Sequence, residues 1–110
     1  MEEGTYFVKI FGNYPLVRVL DFLLTFREFD YSLTEIAENA GVGWSTIHSF
    51  FPKLVETGIV KETRQVGRAR LYKLNAGNPI AQELMALDGK IMRHMAEVLT
   101  KPKKAKAVST

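Results

Sequence analysis

The sequence lacks cysteine altogether, and it has only two histidines and one tryptophan in 110 residues. The absence of thiols excludes disulfide bonds, thiolate catalysis and cysteine-based metal sensing, and it fits a cytoplasmic setting. No glycine-rich phosphate loop or carboxylate pair in a plausible cleft accompanies the histidines, so we predict that the protein is not an enzyme. Asp88 and Glu97 lie near His94 on a predicted helix, but such groups are usually solvated. We therefore predict neither a metal nor a cofactor, and no segment indicates a small-molecule pocket.

Long hydrophobic runs are also missing. The most apolar stretch, from Leu16 to Phe26, is interrupted by Arg18 and Asp21, whereas a membrane span needs about 20 apolar residues. The chain begins with an acidic segment where a secretory leader would be basic. We expect no membrane association and a single domain over residues 1–100, followed by a basic, disordered tail over residues 101–110.

Positive charge is concentrated in two segments, although the net charge is only +3. Residues 44–73 contain six lysines and arginines against two glutamates, and the tail adds four lysines within residues 101–106. The rest of the chain is therefore net acidic. Segregation of this kind is typical of proteins that bind a polyanion.

The first part of the chain predicts a strand and a helix. Residues Thr5 to Phe11 are aromatic or branched apart from Lys9, which favours a strand that is covered on both faces. Asn13 is a suitable cap for a helix with Pro15 in its first turn, and apolar residues recur at helical spacing to about Phe26.

Two short helices joined by a glycine turn follow. Ser32 and Glu35 fit a capping box that opens the first helix, and Gly41 is suited to the left-handed conformation that ends it. The second helix starts near Trp44 and ends by Gly58. Its buried residues are predicted to be Ile47, Phe51, Leu54 and Val55. This arrangement is a helix-turn-helix.

A hairpin and a long helix complete the pattern. Ile59 to Thr63 and Ala69 to Leu74 are strand-like and are separated by the basic connection from Arg64 to Arg68. Asn78 and Pro79 then predict the start of a helix that continues to about Thr100. The fold class is mainly α with a small β-hairpin wing, together with the N-terminal strand and the long C-terminal helix.

The stretch from Tyr31 to Asn75 resembles winged helix-turn-helix regulators of the ArsR/MarR kind, most closely the small single-domain versions that are abundant in archaea. The residues that carry the resemblance are Glu35-Ile36-Ala37, Ser45-Thr46-Ile47, Leu54 with Glu56, Gly58-Ile59-Val60, and Gly67-Arg68-Ala69-Arg70-Leu71-Tyr72-Lys73-Leu74. The resemblance implies sequence-specific binding of double-stranded DNA by a homodimeric transcriptional regulator. Gly43 departs from the usual serine or threonine cap. Pro52 departs from a regular helix, which is expected to kink or restart there.

The resemblance places DNA contacts on two elements. On the recognition helix the expected contacts are Trp44, Ser45, Thr46, His48, Ser49 and Lys53. On the wing they are Arg64, Gln65, Arg68 and Arg70. For Trp44 the alternative is burial against its own domain, and for Arg64 and Arg70 it is pairing with Glu62 or Glu56 across the hairpin.

The long C-terminal helix is the first choice for a dimer interface. The residues expected there are Ile80, Leu84, Leu87, Ile91, Met95 and Val98. The N-terminal strand is the second choice, and His94 is expected to be packed. Because the recognition helix is unusually apolar, a winged-helix protein-interaction module remains an alternative function, as does a plasmid or viral replication or partition factor.

Overall fold

The computed structural model describes residues 5–100, which form five helices and a three-stranded antiparallel sheet. In chain order they are α1 (Tyr6–Phe11), α2 (Pro15–Thr25), β1 (Tyr31–Ser32), α3 (Leu33–Ala40), α4 (Trp44–Glu56), β2 (Val60–Val66), β3 (Ala69–Leu74) and α5 (Pro79–Thr100). The predicted lysine tail lies outside the described residues. None of the helices in residues 5–100 combines the length and the hydropathy that a membrane span requires.

The segment that was predicted to be a strand, Thr5 to Phe11, is helix α1. The Thr5 hydroxyl accepts a hydrogen bond from the Val8 amide at the start of the helix, and Gly12 ends it with a φ of 106°. Phe7 and Phe11, one turn apart, place their ring centroids 5.0 Å from each other. Phe7 is buried whereas Phe11 is 45% exposed. The prediction was wrong because β propensity largely reflects packing on a sheet, and none of the strands in residues 5–100 pairs with this segment.

The start of α2 also differs from the prediction. Its N-cap is Tyr14, and Asn13 instead accepts a hydrogen bond from Arg18 Nη1 at 3.0 Å. Arg18 also donates from Nε to the Ala40 carbonyl at 2.8 Å and from Nη2 to the Gly41 carbonyl at 3.0 Å. These carbonyls lie at the end of α3, where helices leave acceptors unpaired. Arg18 therefore ties α2 to the helix-turn-helix.

The local signals around α3 and α5 are confirmed. The Ser32 hydroxyl accepts from the Glu35 amide, and the Glu35 carboxylate accepts from the Ser32 amide. Gly41 ends α3 with a φ of 67°. At the start of α5, the Asn78 side-chain oxygen accepts from the amides of Ile80 and Ala81.

The sheet has the strand order β1-β3-β2, and its longest pairing is the β2–β3 hairpin, called the wing below. The register pairs Val60 with Leu74 and Val66 with Ala69. The connection is therefore shorter than predicted, because Arg64, Gln65 and Val66 are part of β2 and only Gly67 and Arg68 form the turn. A bulge between Glu62 and Arg64 shifts the register. Strand β1 was not predicted; it pairs Tyr31 with Tyr72.

The core lies where α2, α3, α4 and the base of the wing meet. Its most completely buried side chains are Val19, Leu23, Leu24, Ile36, Ile47 and Val60. Ile91 from α5 joins the same cluster. Helix α4 and the wing are therefore held against one core.

Asp21 on α2 offers a test of this packing. Burial raises the pKa of its carboxyl, the Thr5 hydroxyl lowers it, and the charge of Asp88 raises it further. A raised pKa means that the charged form destabilises the folded state, so the penalty is present above that pKa and disappears as the pH falls through it. We expect Asp21→Asn, which retains the acceptor for Thr5, to raise the free energy of unfolding at neutral pH by a few tenths of a kcal/mol.

Urea unfolding at neutral pH and at a pH below 3.8, the ordinary pKa of the carboxyl, checks this prediction. The gain should vanish at the lower pH. Asp21→Ala serves as the control because it also removes the acceptor, and a net loss of stability from Asp21→Asn at neutral pH would contradict the prediction.

Candidate nucleic-acid interface

Helix α4 presents a polar face to solvent and an apolar face to the core. Ile47, Phe51 and Leu54 are buried, as predicted. The residues predicted to contact DNA are all exposed: Trp44, Ser45, Thr46, His48, Ser49 and Lys53. Spacing by three and four residues separates the two faces of a helix. The buried face thus fixes the direction in which the exposed one points.

The beginning of the exposed face is aromatic. Trp44 is 55% exposed, so it is not buried against its own domain. The rings of Trp44 and His48 pack edge to face, with their centroids 4.3 Å apart. The N-cap, Gly43, makes no side-chain cap hydrogen bond. Backbone amides of the first turn therefore remain open to an external acceptor.

Two hydrogen-bonding groups on α4 have local partners. The Ser49 hydroxyl donates to the Thr46 carbonyl, so only its lone pairs remain for a ligand. Lys53 Nζ lies 3.1 Å from Glu56 Oε1, and both side chains are about 70% exposed. Exposed pairs of this kind contribute about 0–1 kcal/mol, so Lys53 exchanges partners readily.

Pro52 does not divide α4. Helix α4 runs from Trp44 to Glu56 as one element, so the expectation of a restart was wrong. Proline removes one backbone hydrogen bond at a typical cost of about 3 kcal/mol. Buried Phe51 and Leu54 flank Pro52 and hold both sides of it against the core.

The outer part of the wing is an exposed cationic surface. Every residue from Lys61 to Arg70 is exposed. Arg68 is in the turn beside Gly67, which adopts a φ of 62°, and Arg70 pairs in register with Gln65. Within residues 5–100, neither Arg68 nor Arg70 forms a salt bridge. Both guanidinium groups are available to an anion.

Arg64 has a different environment from the other wing arginines. Its Nε donates to Asp30 Oδ2 at 3.0 Å and its Nη2 to Oδ1 at 3.1 Å, while the Thr63 hydroxyl also donates to Oδ2. The suggested partners, Glu62 and Glu56, are therefore wrong. The hydrogen bonds from Arg64 and Thr63 lower the pKa of Asp30 to about 2. This cluster of Asp30, Thr63 and Arg64, called the wing clasp below, joins the wing to the segment after α2.

Asp30 was missed because it lies 34 residues before Arg64 in the chain. No sequence motif links these positions. They meet because β1 adds to β3 and carries the preceding residue, Asp30, to the wing. Arg64 therefore fixes the position of the wing relative to the segment after α2.

The wing clasp predicts a specific pH dependence. Because folding lowers the pKa of Asp30 from 3.8 to about 2, its stabilising effect is complete above the higher value and is lost as the pH falls through the lower one. We expect the Thr63 and Arg64 amides of the wild-type protein to retain their chemical shifts to below pH 3.8. In Asp30→Ala these amides should differ from their wild-type chemical shifts throughout the range in which the wild-type Asp30 is ionised.

Amide NMR spectra across this pH range test the clasp, with Glu62→Ala as the control, since it removes a neighbouring exposed carboxylate. A wild-type transition centred near the ordinary value of 3.8 would contradict the interaction.

The residues predicted for a dimer interface fall into two groups. Ile91 is buried, and Leu84 and Met95 pack against the protein's own core. Ile80, Leu87 and Val98 remain 52%, 38% and 46% exposed. His94 is exposed, so the expectation that it is packed was wrong. Between residues 5 and 100 no group of three or more histidine, aspartate or glutamate side chains is placed to hold a metal.

Comparisons with known proteins bear on the fold. No family profile matches the sequence, and no curated protein is significantly similar to it. A double mutant of ZitR from Lactococcus lactis in its apo form is 20% identical with a TM-score of 0.61, covering 84% of this chain and 72% of that one. Sso10a-2, a DNA-binding protein from Sulfolobus solfataricus, is 12% identical with a TM-score of 0.52, covering 83% of this chain and 92% of that one. With its helix-turn-helix and its β-hairpin, the chain has a winged-helix fold, as its fold class predicted.

Proposed function

We propose that the protein binds double-stranded DNA and acts as a homodimeric transcriptional regulator. The observation that carries the proposal is the exposed cationic wing beside the exposed face of α4, both attached to one core. Its similarity to Sso10a-2, a DNA-binding protein, and its resemblance to ArsR/MarR regulators support the same function.

In this proposal α4 enters the major groove and the wing contacts the backbone. A helix presents side chains to base edges in the major groove, whereas cations and amides hold phosphates. Trp44 offers an apolar surface that suits a thymine methyl group. His48, packed beside it, offers a hydrogen-bonding group to the neighbouring acceptors. Arg68 reaches a phosphate or the narrow minor groove, where negative potential is enhanced.

Homodimerisation would present two recognition helices to the two halves of an inverted repeat. Ile80, Leu87 and Val98 recur on one flank of α5 at helical spacing and are not covered by the protein's own core. A symmetric pairing along this flank gives half-sites about 10 base pairs apart or a multiple of that spacing.

Selection of bound fragments from random duplex DNA tests the proposal. We expect enrichment of an inverted repeat and an affinity that falls steeply as salt increases. Binding without enrichment would contradict sequence specificity. Salt-insensitive capture of a protein through the Trp44 surface, with no DNA binding, would instead support the protein-interaction alternative.

The Ser49 hydroxyl leads to a prediction about preference among DNA sequences. Because the Ser49 hydroxyl hydrogen is engaged by the Thr46 carbonyl, Ser49 is left to accept a hydrogen bond from a base amino group. We expect Ser49→Ala to alter preference at one base position by about 1 kcal/mol or more while binding to other sequences is little changed. Competition between duplexes that differ at one base pair measures this effect. Thr100→Ala is the matched control, because the exposed Thr100 hydroxyl on α5 likewise donates to the carbonyl three residues earlier. A uniform loss across all duplexes would contradict base recognition by Ser49.

A further inference from the structure

Two lysines lie opposite each other at the base of the wing. The register pairs Lys61 of β2 directly with Lys73 of β3. Directly opposed residues have Cβ atoms about 4.5–5.5 Å apart, and like charges at this spacing destabilise a sheet. Lys61 is exposed and Lys73 is half-buried, so both ammonium groups remain charged beside each other at the surface. An anion bound between them would remove the repulsion.

The nearest carboxylate does not neutralise this lysine pair. Asp30 immediately precedes Tyr31, which pairs with Tyr72, so Asp30 lies next to Lys73 at the edge of the sheet. Both of its oxygens already accept hydrogen bonds from Arg64, at 3.0 and 3.1 Å. Within residues 5–100, neither Lys61 nor Lys73 forms a salt bridge. The charge of the pair therefore remains available to an external anion.

The one hydrogen bond that Lys73 makes is a weak one. Its Nζ donates to the Glu28 carbonyl at 3.5 Å, beyond the usual range of about 2.7–3.2 Å. The acceptor is neutral, whereas an ammonium group bonds more strongly to an anionic oxygen such as that of a phosphate. A phosphate beside Lys61 would therefore compete successfully for Lys73.

The lysine pair lies on the face of the wing that is turned away from α4. Successive side chains of a strand point to opposite faces of the sheet. Tyr72 packs against Phe51 of α4, so its neighbour Lys73 points the other way, together with its partner Lys61. Arg70, two residues from Tyr72, lies on the same face as Tyr72. DNA that contacts α4 and Arg70 thus meets the opposite face of the wing from the lysine pair.

The lysine pair is also distant from the turn of the wing. Lys61 lies five residues before Val66, where β2 ends. At 3.2–3.4 Å per residue this separation is about 16 Å along the strand. Arg68 is in the turn, so it and the lysine pair cannot hold the same phosphate. They fit different stretches of nucleic-acid backbone.

We propose that Lys61 and Lys73 form a second site for the phosphate backbone of DNA, on a stretch separate from the one that α4 and Arg68 contact. That stretch is either the flank of the same duplex, bent around the wing, or part of another duplex. The chemistry is the same in both cases, and the experiment below separates them. The role of a second DNA site rests on the proposed function, whereas phosphate binding by the lysine pair does not.

DNA binding is compared for the wild type and for Lys61→Gln with Lys73→Gln. The probes are mixed-sequence duplexes of about 25 and 80 base pairs, the shorter of which holds two half-sites about 10 base pairs apart. A second assay captures a biotinylated short duplex and measures co-capture of a fluorescent one. Lys90→Gln with Arg93→Gln is the control, because it removes the same charge from exposed positions on α5.

We expect the lysine variant to bind the short duplex within about twofold of the wild type. Loss of co-capture in this variant alone would assign the site to another duplex. A fall of about fivefold or more in its preference for the long duplex, without co-capture in the wild type, would assign the site to the flank. Equal changes in the lysine variant and the control would overturn the proposal.

A loss of short-duplex affinity as large as that of Arg68→Ala with Arg70→Ala would also overturn it, because the lysines would then belong to the first contact. If the arginine variant binds DNA as the wild type does, the proposed function fails instead. Phosphate binding by the lysine pair is then still measurable without DNA.

Stability measurements supply that DNA-free test. Lys61→Gln relieves the repulsion and leaves the contact between Lys73 and Glu28 in place, so we expect it to raise the urea midpoint at low salt. The gain should shrink as salt screens the charges. Inorganic phosphate should raise the midpoint of the wild type more than that of Lys61→Gln, because binding to the folded state stabilises it. A lower midpoint for Lys61→Gln, or an equal effect of phosphate on both proteins, would overturn the site.

Discussion

Replacing Phe51 with alanine is expected to lower the free energy of unfolding by about 3–5 kcal/mol, the usual cost of removing a buried phenylalanine. Phe51 is only 3% exposed, and its ring meets that of Tyr72 edge to face at a centroid distance of 5.1 Å. Phe51 belongs to α4 and Tyr72 to β3. The substitution therefore leaves a cavity where α4 meets the wing.

The effect should be large relative to the total stability of a domain of this size, which is typically about 5–15 kcal/mol. Urea unfolding monitored by circular dichroism measures it. Phe51→Leu should lose much less, because it keeps most of the buried volume. Phe29→Ala is a matched control on an exposed ring, since Phe29 is 64% exposed. A loss below about 1 kcal/mol for Phe51→Ala would show that the helix–wing contact is not packed as described.

Removing both free wing arginines is expected to give the largest loss of DNA affinity among the surface substitutions. Each arginine that neutralises a phosphate contributes about one unit to the slope of log affinity against log salt. Arg68→Ala with Arg70→Ala should reduce that slope by about two and weaken binding roughly tenfold per arginine at low salt. The loss should be similar for all sequences, because phosphate contacts carry no sequence information.

The matched control is Lys90→Ala with Arg93→Ala, which removes the same charge from exposed positions on α5. Fluorescence anisotropy with a labelled duplex at several salt concentrations measures the affinities, and thermal unfolding confirms that both proteins fold. Equal losses in the two double variants would indicate a general charge effect and would contradict a specific role for the wing. Arg64→Ala should act differently, because it breaks the wing clasp and so displaces the wing.

The candidate site was largely accessible to sequence reasoning because its two elements carry strong local patterns. Ile47, Phe51 and Leu54 recur at helical spacing, which determines that His48 and Ser49 lie on the opposite face. The wing was found from its strand-like runs and glycine turn. The role of Arg64 could not be found in this way. Its acceptor, Asp30, is distant in sequence and reaches Arg64 only through the tertiary fold.

The proposed dimer flank of α5 shows the same limit. The apolar face of α5 was evident, but periodicity alone does not say which part of a broad face the domain covers itself. The structure places Ile91 in the core and leaves Ile80 exposed, although both belonged to one predicted seam.

What the sequence by itself determined were features whose partners lie within a few residues: the Ser32–Glu35 capping box, the left-handed Gly41 and the Asn78 cap. These depend on hydrogen bonds and backbone conformations that form locally. Tertiary structure alone decided that residues 6–11 are helical, that Tyr31 adds a third strand and that Asp30 holds Arg64. Those outcomes depend on contacts between distant segments, whose energies exist only after the chain has folded back on itself.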